Sequence, residues 1–371
     1  MRKPRKRFLY LVGTLFLILA VFFVAKTASI YPFLFQVAFN KSINLKESNN
    51  KINILLLGIG GGTHDGPNLT DTIMLASIDP KLDKVTLVSI PRDLWYPPIK
   101  QKINDAYADG VINGKGGLSE AEAAVGKITG QTIDYGIRLD FSGFVQAVNI
   151  VGGLDINVDN TFDDYQYPID GQENNPCGHT QAELAAMAND TQDQLVQDFP
   201  CRYKHVHFNK GLQHMDGETA LEYVRSRHAV QAIEASDFAR SKRQEKVIKA
   251  FKDKVLSIQT LLNPGKMISL YDTLKSSIDM DIPQSQFDDF IRLAEKMKNA
   301  KIQTAVIDTG DPATQRAGLL INPPTSSAYD YEWVLNPRIG NGNFSEIQNY
   351  VSCEIAKGNC VVSPSPQTPK P

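Results

Sequence analysis

A carboxylate and a guanidinium are predicted to meet at the open end of a β-hairpin. Two apolar runs joined by the turn-like sequence DPKLD predict a pair of antiparallel strands. If Ile78 pairs with Val85 beside the turn, the same register brings Asp71 opposite Arg92. Pro91 ends the second strand because it cannot donate to the ladder. By itself such a pair is typical of a surface salt bridge, which stabilises a protein little.

The sequence YVRSR places two arginines, Arg225 and Arg227, two positions apart. Side chains at this spacing point the same way only in extended chain, whereas on a helix they point to nearly opposite sides. A planar guanidinium binds phosphate oxygens in pairs, so two of them suit a pyrophosphate. Without further context, two solvated arginines after a helix are the simpler interpretation.

A third polar pair lies on the inward stripe of a predicted long helix. At about 100° per residue, Arg240 and Gln244 lie about 40° apart, and Val247 and Phe251 continue the same stripe. Polar groups on a buried stripe need hydrogen-bond partners. A bound anion and an internal acidic residue both satisfy that need, and the sequence does not choose between them.

The composition excludes several classes of protein. With 39 Lys and Arg against 41 Asp and Glu in 371 residues, the formal net charge is −2, which excludes nucleic-acid binding through bulk positive charge. A hydrophobic share of 42% and a charged share of 22% exclude wholesale disorder. The sequence contains no GxxxxGK[ST], GxSxG or HExxH motif.

The N-terminus predicts a membrane anchor. Residues 8–25 form an uncharged apolar run of 18, which reaches the length of a transmembrane helix. Residues 1–7 carry five basic residues and no acidic one, which predicts a cytoplasmic N-terminus and a single span with the remaining chain outside. A cleaved signal peptide is the alternative, but its apolar region is usually shorter and a small-x-small site should follow.

The cysteines fit a location outside the cytoplasm. All four follow the apolar run, and an even count in that setting favours two disulfides, with sequence proximity favouring Cys177–Cys201 and Cys353–Cys360. Zinc is the alternative because His179, His205 and His207 lie near the first pair.

The remaining pattern predicts an α/β fold, an α/β/α sandwich with a central mixed sheet, preceded by the transmembrane helix. After a linker over 26–50, one domain is predicted over 51–352, with a polar, irregular insertion at 165–205 and a Cys-bearing, Pro-rich disordered tail at 353–371. Predicted strands are Ile52–Ile59, Thr72–Ile78, Val85–Ile90, Tyr135–Leu139, Leu154–Val158 and Ile302–Ile307, and predicted helices are Leu118–Ile128, Phe141–Val151, Asp216–Val224 and Asp237–Leu256.

Several ordered segments together resemble the LytR-CpsA-Psr family of cell-envelope proteins. The resemblance spans nearly all of residues 50–300. The matching segments are INILLLGIG (52–60), TDTIMLASIDP (70–80), KVTLVSIPRD (84–93), KINDAYADG (102–110), GFVQAVNIVGGLDINV (143–158), GLQHMDGETALEYVRSRH (211–228) and DFARSKRQEKVIKA (237–250).

The resemblance implies a membrane-anchored phosphotransferase of the bacterial cell membrane. Its implied substrates are a glycopolymer on a polyprenyl-pyrophosphate carrier and peptidoglycan, with membrane lipid as a further partner and Mg²⁺ as cofactor. An acceptor hydroxyl attacks the sugar-side phosphorus, and polyprenyl phosphate leaves. A polyprenyl-pyrophosphate hydrolase and a non-catalytic carrier-lipid-binding protein are the alternatives.

The resemblance also assigns roles to residues. It implies catalytic roles for Asp71, Arg92, Arg225 and Arg227, with Asp71 also placing Mg²⁺. It implies substrate binding by Arg240, Arg243, Gln244 and Asn104. The family often carries an acidic residue after its first strand, where this chain reads GIGGGTHDG, so Asp65 is expected to supply that metal ligand.

The anchor prediction is checked on the mature chain. We expect mass spectrometry of the protein extracted from membranes to detect peptides from residues 1–26, because an uncleaved anchor keeps them. A mature chain that begins after the apolar run would indicate a cleaved signal peptide instead.

Overall fold

A six-stranded mixed β-sheet forms the centre of the fold in the computed structural model of this chain. Its central hairpin turns at Asp83, which has a left-handed backbone with φ 47°. The Asp79 carboxylate accepts from the backbone N–H of Lys81 at 3.0 Å and so fixes the turn. Ile78 pairs with Val85, which confirms the predicted register of the hairpin.

The structure describes residues 42–62, 66–187, 192–235, 237–255, 277–297, 299–311 and 315–364. The predicted transmembrane helix at 8–25 lies outside these residues, as do residues 26–41 of the predicted linker. Within the described ranges, no helix has both the length and the apolar character that a membrane span needs.

The strands form the central sheet and several two-stranded sheets. In chain order they are β1 (Ile52–Ile59), β2 (Thr70–Asp79), β3 (Lys84–Ile90), β4 (Trp95–Tyr96), β5 (Gln101–Lys102), β6 (Tyr135–Asp140), β7 (Leu154–Val158), β8 (Phe162–Pro168), β9 (Tyr203–Phe208), β10 (Gly211–Met215), β11 (Ile278–Met280), β12 (Lys301–Val306), β13 (Gly310–Asp311), β14 (Arg316–Ala317), β15 (Leu320–Ile321) and β16 (Asn336–Pro337). The central sheet has the order β11-β6-β1-β2-β3-β12. Because β1–β6 and β3–β12 are parallel and the other pairs antiparallel, the predicted mixed sheet is confirmed.

The α-helices of the described residues are α1 (Ala106–Ile112), α2 (Gly117–Thr129), α3 (Phe141–Val151), α4 (Gln181–Ala186), α5 (Gln192–Asp198), α6 (Gly217–Arg225), α7 (Asp237–Val255), α8 (Phe287–Lys296) and α9 (Ser345–Ala356). Short 3₁₀ turns lie at Ile103–Asp105, Pro200–Arg202, Gln284–Gln286 and Ser327–Tyr329. The chain divides into two compact units. One comprises residues 1–45 and Ile282–Met297, and the other comprises Lys46–Asp281 and 298–371.

Helices cover both faces of the central sheet in the larger unit. Successive strand side chains point to opposite faces. Leu75 of β2 and Val88 of β3 pack in one cluster with Val125 of α2 and Val351 of α9. On the opposite face, Thr72 of β2 meets α7 through a Gln244 hydrogen bond. The burial of both faces explains why these strands read as nearly continuous apolar runs.

The insertion is more regular than its polar sequence predicts. Strands β8 and β9 pair as a hairpin, and α4 and α5 lie between them. Tyr167 within the insertion and Phe162, Val206 and Phe208 beside it are buried and alternate with polar residues, which is the pattern of strands with one inward face. The Cys177–Cys201 disulfide closes this insertion, and Cys353–Cys360 is the second disulfide, as proximity predicted.

The C-terminal boundary predicted at residue 352 divides a helix. Helix α9 continues to Ala356, because Ile347, Val351 and Ile355 form an apolar stripe that packs into the core beside β3. The Glu354 carboxylate accepts from the backbone N–H of Cys360 at 2.7 Å and holds the segment after the helix. Residues 300–360 therefore complete the larger unit.

The start of α6 lies directly against α3. A Cβ at position 217 would overlap the carbonyl oxygen of Val145, so only glycine fits there. The Gly217 N–H donates to Asn149 Oδ1 at 2.8 Å, and the Asp216 carboxylate caps the helix by accepting from the Thr219 N–H at 2.8 Å. These contacts fix the axis of the helix that ends at Arg225.

We expect Gly217→Ala to lower the free energy of unfolding by about 1–3 kcal/mol, because the added methyl group forces α6 away from α3. Urea unfolding followed by circular dichroism measures the change. Glu218→Ala is the control, since Glu218 is exposed in the same first turn. Equal stability of the two variants would contradict the close approach of these helices.

Candidate functional site

A cavity of about 180 Å³ opens where the end of the β2–β3 hairpin meets the C-terminal end of α6. Its wall is rich in guanidinium groups. The lining includes six of the residues singled out in the sequence, namely Asp71, Arg92, Arg225, Arg227, Arg240 and Gln244. Segments more than 150 positions apart therefore converge on one cavity.

The Asp71–Arg92 pair forms one side of the cavity. The Arg92 guanidinium contacts the Asp71 carboxylate in an ion pair beyond the last paired residues of β2 and β3. Arg240 of α7 donates to the backbone carbonyl oxygen of Asp71 at 3.3 Å. Gln244, one turn later, donates to the Thr72 hydroxyl at 3.4 Å. The polar residues of α7 and those at the end of the β2–β3 hairpin thus line the same cavity.

Arg225 lies at the last position of α6, and an aromatic wall surrounds its guanidinium. The guanidinium lies 4.4 Å from the centre of the Phe141 ring and 5.5 Å from that of Tyr167. It also donates to the two carboxylate oxygens of Asp170 at 3.0 and 3.1 Å. Burial raises the pKa of the Tyr167 hydroxyl, which keeps that group neutral beside the arginine.

Arg227 follows in extended chain. The backbone leaves the helix at Ser226, where ψ is 129°, so the side chains of Arg225 and Arg227 both reach the cavity. Asp93 lies beside two of the cavity arginines, with its carboxylate 3.5 Å from Arg227 and 3.7 Å from Arg92. This carboxylate offsets the mutual repulsion of those two cations.

Asp164 is a cavity residue that the sequence reasoning missed. Its carboxylate is buried and accepts from the Ser226 hydroxyl at 2.7 Å and from the backbone N–H groups of Arg227 and His228 at 3.1 Å each. Its other oxygen accepts from the Gln166 N–H at 2.9 Å. Asp164 therefore fixes the extended segment after α6. Its two-residue spacing from the apolar Phe162 on β8 is the signal that marks it as inward-facing.

Arg243 is placed behind the cavity wall and is absent from its lining. Its guanidinium is 2% exposed and donates to the carbonyl oxygens of Tyr223 at 3.0 Å and Ser226 at 2.7 Å. It also donates to the Glu234 carboxylate at 2.8 Å. Burial lowers the pKa of this guanidinium, and the Glu234 charge opposes that effect. These donors hold the end of α6, and the predicted part of Arg243 in substrate binding stays a prediction.

Asn104 also supports the cavity from outside its lining. Its backbone N–H donates to the Arg92 carbonyl oxygen at 3.3 Å, and its own carbonyl oxygen accepts from the Thr70 hydroxyl at 3.1 Å. These bonds join the two sides of the hairpin end. Asn104 therefore positions the hairpin end, and its predicted part in substrate binding stays a prediction. Asp65, the other predicted metal ligand, lies outside the described residues.

The lining offers guanidinium donors to an anion. Its four arginines outnumber its two carboxylates, while Asp93 and Asp170 pair with three of these arginines from outside the lining. Asp164 is fully engaged by four hydrogen bonds, so Asp71 is the cavity carboxylate that suits a cation. Guanidinium groups with one carboxylate are a ligand set for a pyrophosphate with Mg²⁺, which binds few carboxylates besides phosphate oxygens.

Comparison with known proteins agrees with this arrangement of residues. The model of the LytR_cpsA_psr family matches residues 25–322, most of the chain. The chain belongs to the LytR-CpsA-Psr family.

Curated relatives of this LytR-CpsA-Psr chain carry transferase names. The polyisoprenyl-teichoic acid–peptidoglycan teichoic acid transferase TagU of Oceanobacillus iheyensis is 28% identical over 247 residues, which cover 65% of this chain and 63% of the relative. The transferase TagV of Bacillus subtilis, named for the same reaction, is 27% identical over 235 residues, 62% of this chain and 49% of the relative. The match thus spans less than two thirds of the length of each relative.

Solved structures support the fold of this LytR-CpsA-Psr protein. B. subtilis TagV aligns with a TM-score of 0.52 at 21% identity, over 84% of this chain and 99% of that one. TagT bound to LIIa-WTA aligns with a TM-score of 0.51 at 20% identity, over 85% and 96%. At these identities the likeness concerns the fold alone.

We expect Arg243→Ala to lower the free energy of unfolding by about 3–5 kcal/mol, because Glu234 is then left buried without its cation. Urea unfolding measures the loss. Lys242→Ala is the control, since Lys242 is the exposed neighbour on α7. If Arg243→Ala is as stable as the control but binds pyrophosphate more weakly, the residue contacts the ligand and its assignment to the supporting framework is wrong.

Proposed function

We propose that this protein is a membrane-anchored phosphotransferase of the bacterial cell envelope, which transfers a glycopolymer from a polyprenyl-pyrophosphate carrier to peptidoglycan. The observation that carries this proposal is the convergence of four arginines and Asp71 on one cavity. The transferase names of TagU and TagV support it, since both relatives are named for transfer between a polyisoprenyl-linked polymer and peptidoglycan.

The arginines supply what phosphoryl transfer needs most. Such reactions depend on positioning and on stabilising the charge of the phosphoryl oxygens rather than on a strong nucleophile. Arg225 and Arg227 approach the cavity from the end of α6, and Arg92 and Arg240 approach from the hairpin and from α7. A pyrophosphate between them would meet guanidinium groups on several sides, which would orient the sugar-side phosphorus for attack and the other phosphate for departure.

In the proposed reaction, a hydroxyl oxygen of peptidoglycan forms a bond to the sugar-side phosphorus. The bond from that phosphorus to the bridging oxygen breaks, and polyprenyl phosphate leaves with the bonding electron pair. The hydroxyl proton passes to water or to the departing phosphate. The arginines stabilise the negative charge on both sides of the breaking bond, which lowers the activation free energy of the transfer.

Mg²⁺ is proposed as the cofactor, with Asp71 as its protein ligand. The fit rests on the cavity, where the Asp71 carboxylate lies among groups suited to phosphate oxygens. When bound, Mg²⁺ neutralises phosphate charge. Asp65 is proposed as a further ligand from the sequence resemblance alone.

The transfer assay tests the proposal with the full chain in detergent, a labelled glycan on a polyprenyl-pyrophosphate donor, and peptidoglycan oligomers, with and without Mg²⁺. We expect Mg²⁺-dependent transfer. The double variant Arg225→Ala/Arg227→Ala should lose it by about 100-fold or more, because two guanidinium groups no longer stabilise the transition state.

Arg202→Ala is the matched control. Arg202 also packs on an aromatic ring, 3.7 Å from the centre of Phe199, and donates to a carbonyl oxygen, but it is absent from the cavity lining. Release of free glycan phosphate without transfer would indicate a polyprenyl-pyrophosphate hydrolase instead of the phosphotransferase. Donor binding without any product would indicate a non-catalytic carrier-lipid-binding protein.

A further inference from the structure

A cluster of two imidazoles and one carboxylate lies on the β8–β9 hairpin, outside the cavity lining. The Asp163 carboxylate oxygen Oδ1 is 2.8 Å from His205 Nε2 and 2.7 Å from His207 Nδ1. One ligand atom from each of the three residues lies within 4.8 Å of the other two. Nitrogen and oxygen atoms of these groups are ligands of zinc in proteins.

The strand register brings the cluster together. Asp163 of β8 pairs directly with His207 of β9, so their side chains share one face of the hairpin. His205 lies two residues before His207 and therefore points to the same face. Val206 and Phe208 are buried on the other face. The pairing of the two strands therefore places the three side chains together, without any contribution from a loop.

Neighbouring groups orient two of the three side chains. The Asp163 backbone N–H donates to the Gln231 side chain at 2.9 Å, and the Gln231 amide donates to the second Asp163 oxygen at 3.4 Å. The Tyr165 ring stacks on the His205 imidazole with a centroid distance of 4.1 Å.

We propose that Asp163, His205 and His207 bind a divalent transition-metal ion, Zn²⁺ in the first place. In a tetrahedral site with bonds of about 2.0 Å, ligand atoms lie about 3.3 Å apart. The present nitrogen-to-oxygen separations are hydrogen-bond distances, so each opens by about 0.5 Å to admit the ion. The side chains are 44%, 40% and 24% exposed for His205, His207 and Asp163, which gives the ion access and leaves its fourth position to water.

This site differs from the zinc site that the cysteine pattern allowed. Cys177 and Cys201 form a disulfide and offer no thiolate. His179 lies elsewhere, with Nε2 2.8 Å from the Asp198 carbonyl oxygen. The imidazoles also separate it chemically from the cavity, since nitrogen ligands favour zinc, copper or nickel whereas Mg²⁺ takes oxygen ligands.

The metal would stabilise the segment that carries Arg227. The Asp163 carbonyl oxygen accepts from the Val230 N–H at 2.8 Å, and the adjacent Asp164 holds the backbone of Arg227. An ion that joins β8 to β9 therefore also fixes the strand on which this segment rests. The inference concerns metal binding alone and does not depend on the proposed transfer reaction.

Isothermal titration calorimetry tests the site. The full chain is stripped of metal and titrated with Zn²⁺ under non-reducing conditions and in excess Mg²⁺. We expect one equivalent to bind. His205→Ala and His207→Ala should each raise the Kd by about 100-fold or more, because each removes a ligand. Substitution with Co²⁺ should give the visible absorption of a tetrahedral nitrogen–oxygen site, which both variants lose.

His214→Ala is the matched control. The His214 imidazole is likewise 2.7 Å from an aspartate on a neighbouring strand, Asp155, but among the described residues this pair belongs to no group of three ligands. The His214→Ala variant should bind Zn²⁺ with the same affinity as the unaltered protein. Absence of Zn²⁺ binding by the unaltered protein overturns the proposal. Unchanged affinity in both cluster variants, or an equal loss in His214→Ala, also overturns it. Asp163→Asn, which keeps the side-chain shape, separates the loss of a ligand from any loss of folding.

Discussion

Repulsion among the cavity guanidinium groups is the constraint that the rest of the larger unit must satisfy. Like charges 4 Å apart repel by about 4 kcal/mol near a protein surface, and the fold gathers several of them before any ligand is bound. Each is held by a partner supplied from another element. Asp71 neutralises Arg92, and Asp170 with an aromatic wall holds Arg225. The proposed pyrophosphate ligand would compete with oxygens that already occupy guanidinium donors, which favours ligands of higher charge over weak anions.

Such a cavity also needs a backbone that does not yield to the repulsion. Arg243 and Asp164 provide it by holding the segment after α6. The buried guanidinium donates to the Ser226 carbonyl oxygen, and the buried carboxylate accepts from the Ser226 hydroxyl and the Arg227 N–H. A buried charge with a missing partner is costly. The two residues thus restrict this segment to one conformation, in which Arg225 and Arg227 share the cavity.

The sequence predicts much of this arrangement where a local rule connects the residues. The turn fixes the hairpin register and hence the Asp71–Arg92 pair, and helical periodicity places Arg240 and Gln244 on one inward stripe. The sequence does not predict contacts between residues that are far apart in the chain and that no local pattern connects. Asp164 lies in a polar segment whose strand alternation is short and interrupted by a register shift. The enclosure of the Arg243 guanidinium by the Tyr223 and Ser226 carbonyl oxygens also escapes the sequence, because helical periodicity places the residue without showing what surrounds it.

The β8–β9 hairpin links the two polar sites through the alternation of a strand. Adjacent residues on β8 point to opposite faces, so Asp164 reaches the Arg227 backbone while Asp163 meets His205 and His207 outside. The inner residue is constrained by four hydrogen bonds from the cavity framework. Its neighbour Asp163 is held by the strand register, by Gln231 and by the two exposed imidazoles, so the outer face carries its own set of polar groups. A metal bound there would act on the arginine segment through the shared backbone of one strand, a shorter route than any through the central sheet.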